Sequence, residues 1–376
     1  MNASAHDPDP AAVAKDRLQS VVHGAALALI VGWVLYVGKQ VFVPMVFSVL
    51  VVYVIIGLAR ALAGVPTIGP KLPAALRYLL SILGIGVVLA AGVSLVVNNV
   101  GRVVQLAPTY QDKLLERIQQ ATEFFGLRAA PTWTALREDF LEQIRPQDLI
   151  GPTVVSVTGI GMTLLVVLLY VTFLLVEKRV FAAKLRKLSD DPRDVSRIRQ
   201  VLDSINIRTG QYLAVKTLIN VVLGVVSWAM MAAFGLEFAG FWAVLIAVLN
   251  YVPYIGSFLG VLFPVAWAIV QFGDPGTVIT LLLLLSAAQF VIGNFLDPFL
   301  MGNSLNLSPF VILASLTIWG GLWGIPGAFL AVPITAVLVI VLSEFRGTRP
   351  IAVLMSRNGH LDVGRDGAAR ADVGGS

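Results

Sequence analysis

NYVPYIG (250–256) and WGGLWGIPG (319–327) decide how this chain is read. Each lies in the middle of a long apolar segment and breaks it with glycine and proline. Proline has no N–H and clashes with the preceding turn, so Pro253 and Pro326 each interrupt a helix. An amide or carbonyl freed in this way and left in lipid is costly. Such a break survives only inside protein or along a watery cavity. There the half-helix ends become useful, because amide ends attract anions and carbonyl ends coordinate cations. The plainer alternative is a proline kink that only shapes helix packing. Paired breaks in neighbouring apolar units favour a binding site instead.

Composition sets the class. The chain is 57% hydrophobic and 13% charged, against roughly 25% charged in ordinary soluble domains, and its mean hydropathy is +0.85. It reads as an all-α, polytopic membrane protein. The net charge of +5 then belongs to loop asymmetry and not to a nucleic-acid surface. The absence of cysteine excludes disulfides, thiol catalysis and cysteine metal sites. His6, His23 and His360 lie at or near the ends, which argues against a histidine metal site. No Walker A loop, GxSxG or HExxH occurs, so neither an enzyme nor a primary pump is expected, and no cofactor is called for.

A span needs about 20 apolar residues. After a polar N-terminus (1–20), residues 21–97 hold three spans: 21–37 and 41–58, joined as a tight hairpin by Gly38-Lys39-Gln40, and then 78–97. Residues 98–150 form an insert of two amphipathic helices, with Tyr110, Leu114, Leu115, Ile118, Ala121 and Phe125 at helical spacing and Trp133, Leu136, Phe140 and Ile144 in the second. These helices cap the membrane part, meet a neighbouring subunit, or lie at the lipid interface. A fourth span covers 151–176. The segment 177–208 holds nine Lys or Arg, with Asp191-Pro192 opening a helix. Loops this basic are cytoplasmic. A fifth span is expected at 212–234, within a C-terminal core of 209–343. The Gly-, Asp- and Arg-containing tail, 344–376, reads as disordered. Counting outward from the basic loop places both termini in the cytoplasm and the insert outside.

Two architectures fit the broken segments equally. Each crosses once, giving eight crossings, or each is a re-entrant hairpin that returns to its own side. The first limbs, 239–249 and 309–319, are 11 residues each, about 16 Å as helix, too short to cross alone. The strings GSFLGV (256–261) and GAFLAV (327–332) echo each other. In the hairpin architecture they form an inverted repeat.

From Thr217 to Phe345 there is no Lys or Arg. Asp297, before Pro298, either sits at the water boundary or faces a cavity, since an intramembrane carboxylate is expensive. Asn294 is expected to share its face, with Gln289 partly offset, and Asn250 precedes the first break. Lys216 either snorkels to the cytoplasmic surface or neutralises Asp297. Gly256 with Gly260, and Gly320 with Gly324, are small-residue pairs suited to close helix packing. The candidate substrate or ion site is therefore Asn250, Pro253, Gly256, Gln289, Asn294, Asp297, Pro298, Gly324, Pro326 and Gly327, with Lys216 as charge partner.

RTGQYLAVKTLIN (208–220), NYVPYIGS (250–257), DPFLMGNSLNLSP (297–309) and WGGLWGIPGAFLAVP (319–333) resemble the autoinducer-2 exporter family (AI-2E family transporters) of the bacterial inner membrane. The resemblance covers the C-terminal half by motif and the N-terminal half by layout. It implies eight transmembrane segments, export of a small molecule driven by an ion gradient, sodium/proton exchange in some members, and a homo-oligomer with a pentamer as one candidate. The expected partners are the lipid bilayer and a small-molecule or ion substrate, with no nucleic acid. A passive channel, or a scaffold acting through the insert, is the competing expectation.

Overall fold

The computed structural model describes residues 10–64, 71–87, 161–177 and 191–359, apart from 164, 302–305 and 346, with isolated positions between. The expected insert at 98–150 lies outside them. The described residues are helical apart from turns and one isolated antiparallel bridge, Leu307 with Ser356. Among the described residues, five helices are long and apolar enough to cross a membrane. Outward side chains of these and of the shorter apolar helices, such as Leu29, Phe299 and Phe310, are exposed and apolar, as a lipid-facing surface requires. The protein is an all-α, multi-pass membrane protein.

The chain starts with α1 (Pro10–Val37) and α2 (Lys39–Ala63). The tight hairpin expected at 38–40 does not form. One residue, Gly38, separates the helices; its N–H closes α1 on Val34 O, and its carbonyl accepts from Val41 and Phe42 at the start of α2. One residue is too few to lay two helices side by side. The Phe42 ring fills the space where a Cβ on Gly38 would stand. Two shorter apolar helices follow, α3 (Ala74–Val87) and α4 (Gly161–Glu177). Val167 and Val171 of α4 pack with Ile55 of α2 and with Tyr78, Ile82 and Ile85.

The expected division between a basic loop helix and a fifth span is also corrected. Pro192–Ala233 is one helix, α5, of 42 residues. Asp191 caps it by accepting from Arg193 N at 2.8 Å, with Pro192 in the first turn. Nothing between 192 and 233 breaks it, so basic segment and span share one rod. The turn after it leads to α6 (Ala239–Leu249) and α7 (Ile255–Phe272). Gly273 in the left-handed region ends α7, and Asp274 caps α8 by accepting from Thr277 N at 2.8 Å. Helix α8 runs Pro275–Met301 and carries a π-helical turn, Ile292–Leu296, before its last stretch, Asp297–Met301. Then come α9 (Pro309–Trp323), α10 (Ile325–Glu344) and α11 (Arg349–Met355). The tail was expected to lack order from 344 onward, yet its first part builds α11 and the bridge of Ser356 to Leu307. Ala352 supplies the reason: it is fully buried among Tyr212, Leu213, Leu307, Val332 and Ala336.

Both broken segments fold back on themselves. Residues 16 apart on one continuous helix would stand about 24 Å apart, whereas Trp319 Nε1 donates to Thr335 Oγ1 at 3.2 Å. In the first segment, Gln271 at the end of α7 donates to Gly235 O (2.9 Å) and accepts from Glu237 N (2.8 Å), just before α6 starts. The base of this first hairpin therefore lies at the C-terminal end of α5. The base of the second lies near the other end, where Arg197 of α5 meets Glu344: Nε is 3.5 Å from Oε2, and Nη2 donates to the backbone oxygen. The two hairpins thus point at each other from opposite ends of α5.

Candidate functional site

The tips meet in the middle of the molecule. The Tyr251 and Phe329 rings stack with centroids 5.6 Å apart, and Val252 is buried with Leu316 and Ala331. Each break is built the same way at one point. A Cβ on Gly256 would stand 1.8 Å from Leu249 O, and one on Gly327 would stand 1.9 Å from Trp319 O. Only glycine lets the second limb approach the carbonyl end of the first so closely. The echoed strings GSFLGV and GAFLAV begin at these two glycines.

The reversals themselves differ. In the second hairpin, Gly324 (φ 68°, ψ −145°) takes a conformation open to glycine alone, and Pro326 sits in the first turn of α10. In the first, Pro253 lies in the turn and Tyr254 carries the positive φ of 62°. A non-glycine residue held there is strained, and such strain clusters at functional sites.

A polar seam runs through the apolar core beside the first tip. Lys216 and Asn220, one turn apart on the buried face of α5, supply its spine. Lys216 Nζ lies 3.0 Å from Asp297 Oδ2, with the lysine side chain only 8% exposed and the aspartate 23%. Of the two alternatives for Lys216, the structure takes neutralisation and not snorkelling. Asn250 Nδ2 donates to Asn220 Oδ1 at 2.8 Å, and Ser257 Oγ donates to Asn250 Oδ1 at 3.3 Å. The Thr217 and Tyr251 hydroxyls share a hydrogen bond of 2.7 Å. Gln289 places Nε2 where a Cβ on Gly260 would be 3.2 Å away. Asp297 Oδ1, Asn220 Nδ2 and Gln289 Nε2 are all buried with no hydrogen-bond partner. Orphaned groups of this kind are costly and call for an explanation.

Of the expected site residues, Asn250, Gly256, Gln289, Asp297 and Lys216 come together around the seam. Gly324, Pro326 and Gly327 form the opposing tip, with Pro253 in the first tip. Asn294 is a correction: its side chain is exposed and donates back to Phe290 O of its own helix. The π turn adds backbone per turn between Asn294 and Asp297 and so rotates the two off a common face. Pro298 is likewise exposed, serving to end the π turn rather than to line the seam. Asn220, Thr217, Tyr251 and Ser257 were missed. The signal for Asn220 was present, since it stands four residues after Lys216 within RTGQYLAVKTLIN, but a lone asparagine in an apolar run does not announce its partner.

Residues 25–347 match the family described as AI-2E family transporter. The AI-2 transport protein TqsA of Escherichia coli (strain K12) is 36% identical over 195 residues, 52% of this chain and 55% of TqsA. A Borreliella burgdorferi relative, provisionally named a transport protein, is 34% identical over 201 residues, 53% of this chain and 55% of its own length. The chain therefore spans about half the length of these two. A third, from Haemophilus influenzae and also provisionally named for transport, is 26% identical but aligned over 90% of this chain and 96% of its own. With a match running from α1 to the end of α10, the chain belongs to the AI-2E transporter family.

Proposed function

We propose that this protein is a secondary transporter of the bacterial inner membrane, exporting a small polar molecule such as an autoinducer-2-like signal, coupled to an ion gradient. The observation that carries this reading is the polar seam at the meeting of two opposed hairpins, with Asp297, Asn220 and Gln289 each presenting an orphaned polar atom. Re-entry of each hairpin from its own side of the membrane agrees with the positive-inside count: the second hairpin's base lies with the basic end of α5, in the cytoplasm, and the first hairpin's base lies outside. In that frame the C-terminus is cytoplasmic.

The seam contributes one positive and one negative charge, so it is neutral overall and suits a substrate of low net charge. A second reading, cation/proton exchange, is favoured by the same ion pair. A cation displacing Lys216 from Asp297 leaves the lysine free to release its proton, and the buried charge is conserved. Proteoliposomes loaded with autoinducer-2, under an imposed proton or sodium gradient, separate the two. Saturable, gradient-driven flux of autoinducer-2 supports export. Cation-dependent proton movement without it supports exchange. Flux indifferent to any gradient would overturn both and leave a passive channel.

A further inference from the structure

We propose that residues 347–357 form a cytoplasmic strap that closes the route from the Lys216–Asp297 pair to the cytoplasm, and that this strap unclasps in each transport cycle. The inference rests on the transport reading above but on different residues. After α10 the chain turns at Phe345 and runs back as α11 across the base of the second hairpin. Thr348 Oγ1 donates to Leu342 O at 2.7 Å and Arg349 N to Phe345 O at 2.9 Å, which fixes the turn. Beyond α11 the chain pairs with the link that joins α8, the helix of Asp297, to the second hairpin. Ser308 N donates to Met355 O and Arg357 N to Asn306 O, each at 3.0 Å. These two bonds flank the bridge of Leu307 with Ser356.

What the strap covers is shown by burial. Ala352 is 0% exposed and Leu307 is 6%, and both belong to one cluster with Tyr212 and Leu213. Tyr212 stands one turn before Lys216 on the same buried face of α5. The strap therefore covers α5 one turn on the cytoplasmic side of the ion pair. A seven-residue helix, the bridge with its two flanking hydrogen bonds and one apolar cluster hold it. A segment tied by so few groups opens locally at low cost compared with the hairpins.

The native chain has no cysteine, so single thiols report on access. Asn220→Cys is placed in the full chain and in a chain ending at Phe345, and both are exposed on the cytoplasmic face to a membrane-impermeant methanethiosulfonate. The expected result is labelling more than tenfold faster without the strap. Equal rates overturn the proposal. Val225→Cys, on the lipid-facing side of the same helix, stays unlabelled in both chains if the shortened protein is folded. If it does not, the pair Leu307→Cys with Ser356→Cys decides. The bridge is of the non-hydrogen-bonded kind, whose Cα atoms lie about 4.5 Å apart, close enough for a disulfide. Oxidation should cut autoinducer-2 flux more than tenfold, with recovery on reduction; flux unchanged by oxidation sinks the strap. Loss of flux in reduced and oxidised protein alike, with labelling still strap-dependent, condemns the transport reading and leaves the strap standing.

Discussion

The first and second hairpins have the same plan and opposite chemistry. Both place a glycine against a carbonyl in the last turns of the preceding limb, Gly256 on Leu249 O and Gly327 on Trp319 O. Yet the tip of the first hairpin is tied into α5 by polar groups, Asn250 to Asn220 and Tyr251 to Thr217. The second keeps its polar groups to itself or gives them to the scaffold: Trp319 bonds Thr335 within the hairpin, and Trp323 Nε1 donates to Leu35 O at the end of α1. Towards the seam it presents Phe329 and Ala331. The first hairpin thus holds the polar seam, and the second covers it with apolar groups and is anchored to α1 and Arg197. Two hairpins of one backbone plan can thus present opposite chemistry to the same place.

The strongest break of that comparison is at the shared glycines. Gly256→Ala and Gly327→Ala each drive a methyl into a backbone carbonyl, so both should lose about 3 kcal/mol or more. Thermal unfolding in detergent measures this. Tolerance of one but not the other means that the two tips are not built alike.

Next in size is the ion pair that the first hairpin's seam depends on. Lys216→Met or Asp297→Leu alone strands a buried charge and should cost about 3–5 kcal/mol. The double variant should recover most of that stability while leaving autoinducer-2 flux abolished. Flux from the double variant would show that the pair is structural only.

A smaller effect separates the two reversals. Tyr254 holds a positive φ that Gly324 adopts freely. Tyr254→Gly should therefore raise stability by about 1 kcal/mol, the usual cost of the left-handed region to a side chain, and should lower transport if the strain assists opening. A neutral result on both counts removes strain from the account of the first tip.

The least effect is expected at the outer turn beyond the first hairpin. The Thr277 amide, and then its hydroxyl, donate to Asp274 and hold its carboxyl below the usual carboxylate range. The sign follows: the contribution is present above the ordinary value near pH ~4 and is lost as pH falls through the lowered one. Asp274→Asn keeps a capping oxygen and should flatten this acid-side dependence in a pH series of thermal shifts, with little change at neutral pH.

Particular residues show how far the sequence could be read. The breaks at 250–256 and 319–327 were legible because proline and positive-φ glycine act through local backbone physics, and local rules need no partner. Asp297 was legible as costly, since a carboxylate in an apolar block is expensive wherever it points. Asn294 was placed wrongly because a π turn is set by packing and bonding over several residues and leaves no mark in residue spacing. Asn220 went unnoticed because its role arises from Asn250, 30 positions away.

By itself, then, the chain determined its class, its breaks, its basic end and its family, all of which follow from composition, local backbone chemistry and motif. The fold-back of both limbs, the pairing of Lys216 with Asp297, the meeting of Tyr251 with Phe329 and the return of α11 over Leu307 were decided by tertiary structure. Each is a contact between groups far apart in the chain, and its free energy depends on what else is buried there. Hydrophobic burial drives the limbs together without direction, and only the assembled core determines which polar groups find partners and which are left waiting for one.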